Sequence, residues 1–226
     1  MIIYCGTNFK VQKVYNALQE KRTSNHNPAN LLSCPAIRDG WHNVFMFSPK
    51  SSFKVKHVID FVERSDGGQI TRKRQPHLAD TNIFNIKEQT YLFAEKALKI
   101  KVTAPYFHKT EFQKEATFIG GKFDIGRWFR PIEAEIITWA KSGEVQFNEN
   151  EPLFYVEFLT DLPVEIKHFV VNPIIEHLAS GLVNSPFQNT DNLQGSLESR
   201  YQAFENSDYR KGLIEEIKAA LVSDES

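Results

Sequence analysis

The sequence predicts a mainly β protein, a sandwich or barrel of the jelly-roll or β-clip kind, with α-helices at its carboxy-terminal end. Three observations predict it. Short apolar runs alternate with turn residues as far as residue 171, the spacing becomes helical after Asn172-Pro173, and aromatic residues are abundant, with 18 Phe and 7 Tyr against 2 Met. We therefore expect a β-rich domain over residues 1–172 and a helical extension over 173–226.

The first third of the chain mixes strand and helix signals. The run from Ile2 to Cys5 predicts a short buried strand, and apolar residues near helical spacing predict a short helix within 9–22. Strands are expected at 44–47 and 53–57, where apolar and polar residues alternate in the second. The turn at 65–68, Ser-Asp-Gly-Gly, predicts a hairpin between residues 59–64 and 69–74.

Further strands are expected in the rest of the β-rich part, each bounded by Gly, Pro, Asn or Asp. Their ranges are 98–104, 117–119, 132–139, 145–147, 153–159 and 164–171.

The chain becomes helical from Asn172, which is a favourable N-cap, with Pro173 at the first helical position. Residues 185–195 are polar and are interpreted as a linker. Two more helices are expected, at 196–204 and 208–222, the second with an apolar face.

Charge is unevenly distributed along the chain. Residues 1–74 contain 12 Lys and Arg against 5 Asp and Glu, whereas the remainder contains 15 against 23. The basic third is typical of a surface for nucleic acid, phosphate or an acidic partner. The alternative is that the charges serve no partner. In that case the basic and acidic parts of the chain attract each other, or their charges lie on separate solvated faces.

Two cysteines, Cys5 and Cys34, lack metal-ligand spacing. The sequence contains no apolar stretch long enough to span a membrane and no long apolar signal core near Met1. We therefore expect a reduced protein in the cytoplasm, without membrane association.

The segment 120–132, Gly-Gly-Lys-Phe-Asp-Ile-Gly-Arg-Trp-Phe-Arg-Pro-Ile, is the best candidate for recognition. Glycine permits close approach of backbone to a ligand, arginine binds carboxylate or phosphate, and tryptophan stacks on a base or sugar. The alternative is a β-arch whose tryptophan fills the core and whose aspartate pairs with an arginine. The candidate ligand-binding residues are Lys122, Asp124, Arg127, Trp128 and Arg130.

The stretch from Gly121 to Trp128, with the strands that follow it, resembles the β-clip segment of the trimeric dUTPase and dCTP deaminase family. The run Ser-Pro-Lys-Ser-Ser at 48–52 is similar to the phosphate-contacting segment of that family. The resemblance implies that Asp124 activates the hydrolytic water, that Lys50 and Ser51 contact phosphates, and that the chain forms a homo-oligomer.

A second resemblance covers most of residues 30–160. The motif Cys-Pro-Ala at 34–36, the residues 43–45 and 48–49, and the segment 121–131 resemble uncharacterised proteins of large tailed phages. It implies a viral protein in the cytoplasm of the host cell, and it carries no activity with it.

Seven histidines form no recognisable metal motif. The closest pairs, His57 with Asp60 and His108 with Glu111, are three residues apart, a step that places side chains on opposite faces of a strand. A jelly-roll iron oxygenase would need two histidines and a carboxylate brought together by the fold. No cofactor and no metal ligand are predicted, although a divalent metal remains open.

Three function hypotheses follow, and whether the protein is an enzyme is left open. The first is a phage-type binding protein that recognises a protein partner or a small phosphorylated ligand through residues 120–131. The second is a nucleotide-binding or dUTPase-like hydrolase with Asp124 as base. The third is a metal-dependent jelly-roll oxygenase.

Overall fold

The computed structural model describes residues 1–16, 34–58, 61–73, 81–127, 129–183 and 202–222. Within them the chain is mainly β, with its two longer helices late in the sequence, so the predicted fold class is confirmed. The strands are β1 (Ile2–Thr7), β2 (Lys10–Lys13), β3 (Val44–Ser48), β4 (Phe53–Val58), β5 (Phe61–Arg64), β6 (Ile70–Lys73), β7 (Ile83–Phe93), β8 (Lys99–Thr103), β9 (Ala116–Phe118), β10 (Gly121–Asp124), β11 (Pro131–Thr138), β12 (Gly143–Phe147), β13 (Phe154–Phe158) and β14 (Glu165–His168). The helices are α1 (Pro35–Gly40), α2 (Pro173–Val183) and α3 (Asp208–Ala219), with a 3₁₀ turn at Phe112–Lys114.

The strands form three sheets. The first has the order β14-β1-β7-β11-β9, with β6 also paired to β7. The second has the order β10-β8-β13-β3-β2, and the third is β12-β4-β5. Strands β1 and β14 are parallel, and the other pairings are antiparallel.

The main core lies among the inner faces of these sheets and is rich in phenylalanine. Phe47 stacks on Phe154 with ring centroids 4.9 Å apart, and Phe53 stacks on Phe147 at 4.8 Å. Stacked rings bury large apolar areas with little loss of side-chain freedom. The excess of phenylalanine is therefore largely explained by packing between strands.

A second apolar cluster joins the outer face of the first sheet to the carboxy-terminal helices. Tyr91 and Phe93 project from β7 towards Ile175, Leu213 and Ile217, which are all fully buried. Alternation along β7 places these two rings on the face opposite the main core. Burial of this cluster holds α2 and α3 against the sheet.

The predicted cap of α2 is confirmed. The backbone N–H of Ile175 donates to Oδ1 of Asn172 at 2.9 Å, and Pro173 begins the helix. Helix α3 begins one residue after Ser207, whose side chain accepts from the backbone N–H of Arg210. It ends at Ala219, earlier than the predicted residue 222, because Val222 donates its N–H to the carbonyl of His168 instead.

The helix predicted within 9–22 is wrong at its beginning, since residues 10–13 form strand β2. Phe9 lies in the main core against Phe154, and Val11 is in register with Phe47 of β3. Pairing with β3 supplies the hydrogen bonds that a helix would have made locally. Residues 14–16 are helical, and residues 17–22 lie outside the described ranges.

The hairpin predicted around the turn at 65–68 is also wrong, although Gly67 does adopt the left-handed conformation, with φ 73°. Strand β5 pairs with β4 in the third sheet, and β6 pairs with β7 in the first. The turn therefore carries the chain between two sheets. Of the helix predicted at 196–204, residues 202–204 are helical and 196–201 are outside the described ranges, as is the predicted linker at 185–195.

Strand β7 was missed by sequence analysis because Lys87, Glu88 and Gln89 interrupt its apolar pattern. The register with β11 runs from Thr90 opposite Ile132 to Ile86 opposite Ala134, so three residues of β7 face one residue of β11. Such a bulge accommodates polar residues within a long central strand.

The bulge at 87–89 lets Glu88 reach a buried arginine. The guanidinium of Arg64 donates to both carboxylate oxygens of Asp66, at 2.9 and 2.6 Å, and to Oε1 of Glu88 at 2.9 Å. The side chain of Arg64 is only 4% exposed and lies over the ring of Phe53, 4.1 Å from its centroid. Arg64 thus ties the turn at 65–68 to β7.

The ion pair between Arg64 and Asp66 is expected to make the protein less stable in acid. The hydrogen bonds from Arg64 hold the pKa of Asp66 below its usual value of 3.8, so folding favours the ionised carboxylate. The stabilisation is complete above about pH 4 and is lost as pH falls through the lower folded pKa. Urea denaturation measures this at a series of pH values. Between pH 7 and pH 3 the free energy of unfolding should fall less for Asp66→Asn than for the wild type. Parallel curves would contradict this assignment.

Candidate functional site

The candidate segment 120–131 begins with edge strand β10 of the second sheet, which pairs with β8. A Cβ on Gly120 would lie 2.4 Å from the carbonyl oxygen of Val102, and one on Gly126 would lie 1.9 Å from that of Lys96. The glycines are thus required for close approach, but the partner is the chain's own backbone.

Asp124 is the last residue of β10 and is partly buried. Its Oδ1 accepts the backbone N–H groups of Gly126 and Arg127, each at 3.2 Å. Such a carboxylate holds a tight turn in place. Its proposed role as a catalytic base stays a prediction.

Arg127 connects this turn to the carboxy-terminal segment, since its Nε donates to Oε2 of Glu205 at 3.3 Å. Trp128 lies outside the described residues. Phe129 is fully buried and packs on Tyr91 and Phe93, with centroid distances of 5.2 and 5.9 Å. This half of the segment therefore helps to attach the helices to the first sheet.

Two candidate side chains remain at the surface. Lys122 is exposed in β10, and Arg130 is exposed, with its guanidinium 5.4 Å from the ring centroid of Phe123. The four candidates that the structure describes therefore divide between the turn and the surface, instead of meeting around one ligand site.

The structure adds two lysines to Lys122. Lys99 and Lys101 are exposed on β8, where they are in register with Asp124 and Lys122. The Nζ of Lys101 also lies 3.8 Å from Oε2 of Glu157 on β13. In the sequence, the alternation at 98–104 was interpreted only as a strand. Its exposed positions include Lys99 and Lys101, and these could have indicated a basic surface.

Aromatic rings lie on the same outer face of the second sheet, farther along the strands. Tyr155 is in register with Thr103, two residues beyond Lys101, and its ring lies 5.1 Å from that of Tyr106. Tyr106 in turn lies 4.7 Å from Phe107. Tyr106 and Phe107 are 56% and 36% exposed, whereas Tyr155 is buried.

Buried contacts hold these exposed rings in place. Phe107 packs edge-on against Trp41, and the hydroxyl of Tyr155 is hydrogen-bonded to Nδ1 of His108. Partial burial, together with the nearby carboxylate of Glu157, raises the pKa of Tyr106. Tyr155, whose ring is next to Tyr106, is opposite Thr103 on this face, two residues beyond Lys101, so the lysines and the rings lie on the same face of the second sheet. We call it the basic–aromatic face, and it consists of Lys99, Lys101, Lys122, Tyr106 and Phe107.

The candidate phosphate contacts Lys50 and Ser51 lie between β3 and β4, where both are exposed. Lys50 lines a cleft of about 740 Å³ to which none of the described residues of 120–131 contributes. The structure therefore does not bring Lys50 to Asp124 around this cleft.

The described residues contain no group of three or more His, Cys, Asp or Glu side chains placed to hold a metal ion. His57 is buried, and desolvation lowers its pKa, while its Nδ1 lies 3.2 Å from Nδ2 of Asn82. His57 thus belongs to a buried polar network between sheets.

Within the described ranges, no helix has the length and apolar character needed to cross a membrane.

Comparison with protein-family models found no match, and comparison with curated proteins found no significant one.

Proposed function

We propose that the protein is a non-enzymatic binding protein that takes single-stranded nucleic acid on its basic–aromatic face. The observation that carries the proposal is that three surface lysines and two exposed, well-supported aromatic rings lie on the same face of the second sheet. Proteins that bind single strands combine cations for the phosphates with rings on which bases stack.

The spacing of the lysines suits an extended phosphate backbone. Lys99 and Lys101 are two residues apart on β8, which separates them by about 7 Å, and Lys122 lies directly opposite Lys101 at about 5 Å. A row of cations at this spacing contacts successive phosphates and makes affinity depend on salt.

Two carboxylates lie close to these lysines, and each has a partner. Asp124 accepts two backbone N–H groups, and Glu157 lies near Lys101. The carboxylates therefore reduce the positive charge of the face without removing it, and Lys122 at the sheet edge is expected to contribute most to phosphate binding.

This proposal keeps only the class of the first sequence hypothesis, a binding protein, and changes both the ligand and the recognition surface. The face also lies outside residues 1–74, the basic third that the sequence offered for nucleic acid. Lys122 remains from the candidate segment, whereas β8 and the connection after it supply the other contacts. Membership of a phage protein family, a jelly-roll or β-clip topology, a cytoplasmic location and a homo-oligomer stay predictions.

The stacking contribution is tested by fluorescence anisotropy with a labelled oligothymidylate. We expect Tyr106→Ala to weaken binding about tenfold, since stacking of one base contributes about 1–3 kcal/mol. Tyr209→Ala is the matched control, because Tyr209 is equally exposed, at 55%, but lies on α3. If both variants lost the same affinity for the oligothymidylate, or if Tyr106→Ala lost none, base stacking on Tyr106 would be refuted.

The same assay tests the phosphate contacts through salt dependence. Lys122→Gln should reduce the slope of log affinity against log salt by about 0.7, the value for one phosphate of a single strand. The control is Lys56→Gln, since Lys56 is exposed on β4 of the third sheet, away from this face. This substitution should leave the salt slope unchanged. If a polyglutamate peptide binds this face and the oligonucleotide does not, the partner is an acidic protein and the nucleic-acid proposal fails.

A further inference from the structure

A separate polar cleft opens where β1 ends and the chain crosses from the first sheet to β2 in the second. Its volume is about 740 Å³, and its polar lining includes Thr7, Lys10, Lys50, Lys87, Gln89 and His168. Clefts of about 300–1,000 Å³ are the usual size for small-molecule sites. The cleft therefore has room for a ligand of ordinary metabolite size.

Three lysines give this cleft a positive character. Lys10 and Lys50 come from the basic amino-terminal third, and Lys87 comes from the bulge of β7. The Nζ of Lys10 lies 3.0 Å from Oδ1 of Asn150, a neutral partner. Lys50 makes no ion pair or hydrogen bond within the part of the chain that the structure describes, so its charge is available to a ligand.

Acidic groups compensate only part of this charge. Lys87 lies 3.0 Å from Oε1 of Glu133, and Glu176 is the one acidic side chain among the described lining residues. The lining thus keeps a net positive charge, which favours an anionic ligand.

The neutral amide of Gln89 also lines this cleft. The hydroxyl of Tyr91 donates to Oε1 of Gln89 at 2.6 Å, and burial raises the pKa of Tyr91 to about 12, so this hydroxyl stays protonated. Because the amide oxygen of Gln89 already accepts from Tyr91, its Nε2 group, which can only donate, is the part of the amide that remains for a ligand. A lysine and an amide donor together are suited to phosphate oxygens.

Part of the lining of the cleft is apolar. Val170 and Val222 line it and are 62% and 51% exposed. Their backbones are fixed, since Val170 donates to the carbonyl of Ala220 and Val222 donates to that of His168, each at 2.9 Å. Exposed valines on a fixed backbone are suited to the organic part of a ligand.

We propose that this cleft binds a small phosphorylated organic molecule, with the phosphate at Lys50 and Gln89 and the organic group against Val170 and Val222. The proposal does not depend on nucleic-acid binding, because none of the basic–aromatic face residues lines the cleft.

The test is calorimetric titration of the full chain with phenyl phosphate. We expect Lys50→Gln to weaken binding about tenfold, the loss for one charged hydrogen bond. Lys56→Gln, which removes an exposed lysine outside the cleft, should bind as the wild type does. No binding of phenyl phosphate, or an equal loss in the two variants, would overturn the proposal.

Two further arms test the ligand class. Val170→Ser should weaken phenyl phosphate severalfold and leave inorganic phosphate unchanged, since only the first has an apolar group. Malonate should bind more weakly than phenyl phosphate, and equal or tighter binding would show a carboxylate site and overturn the proposal. Tyr106→Ala should leave the phenyl phosphate titration unaltered, and a tenfold loss would contradict the placement of the ligand in this cleft.

Discussion

Replacement of Arg64 by alanine is expected to lower the free energy of unfolding by about 3 kcal/mol. Arg64 is 4% exposed and is the shared partner of Asp66 and Glu88. Its removal leaves two partly buried carboxylates close together without their cation, and it also removes the cover over the ring of Phe53. Urea denaturation of the purified variant at pH 7 measures the effect.

The matched control is the exposed pair of Lys54 with Glu144, whose atoms are 2.7 Å apart. Both side chains are about half exposed, at 52% and 51%, so Lys54→Ala is expected to cost less than about 1 kcal/mol. Similar losses for Arg64→Ala and Lys54→Ala would show that burial of the arginine does not matter.

Gly126→Ala is expected to destabilise the protein by about 2–3 kcal/mol, because the added methyl group overlaps the backbone of the neighbouring turn. The new Cβ would lie 1.9 Å from the carbonyl oxygen of Lys96 and 2.7 Å from Cα of Ala97. The overlap is with backbone, so relief requires the turn held by Asp124 to move. That movement also disturbs the contact of Arg210 with the carbonyl oxygen of Gly126, at 3.4 Å.

Gly212→Ala is the matched control. Gly212 lies inside α3, and a Cβ there meets no atom within 4 Å, so helix propensity should raise stability by about 0.5–1 kcal/mol. Opposite signs for the two substitutions are therefore expected in thermal denaturation. If Gly126→Ala left the stability unchanged, the close approach of Gly126 to the carbonyl oxygen of Lys96 would be wrong.

The candidate segment shows what sequence analysis can and cannot predict about a site. The glycines beside charged residues predicted close approach of the backbone to a ligand, which stays a prediction, and the structure shows a close approach at Gly126. The approach is to backbone, and Arg127 contacts Glu205, which lies 78 residues farther along the chain. No local pattern contains that partner, so sequence alone could not distinguish a ligand contact from an internal one.

The two proposed sites also differ in how far the sequence anticipated them. Lys50 was a phosphate candidate from the segment 48–52, but its neighbours Lys87 and His168 come from distant strands. Lys99 and Lys101 were visible as the polar half of an alternating strand. Only the register of β8 with β10 places them beside Lys122.

Local pattern by itself determined the fold class, the inward face of β4 and the N-cap of α2 at Asn172. These features depend on alternation, aromatic content and capping, which act within a few residues. The tertiary structure decided that β5 and β6 belong to different sheets, that residues 10–13 form a strand, and that polar residues of β7 fit within a central strand. Each of these outcomes depends on hydrogen bonds and packing between residues far apart in the chain, whose energies outweigh local preference.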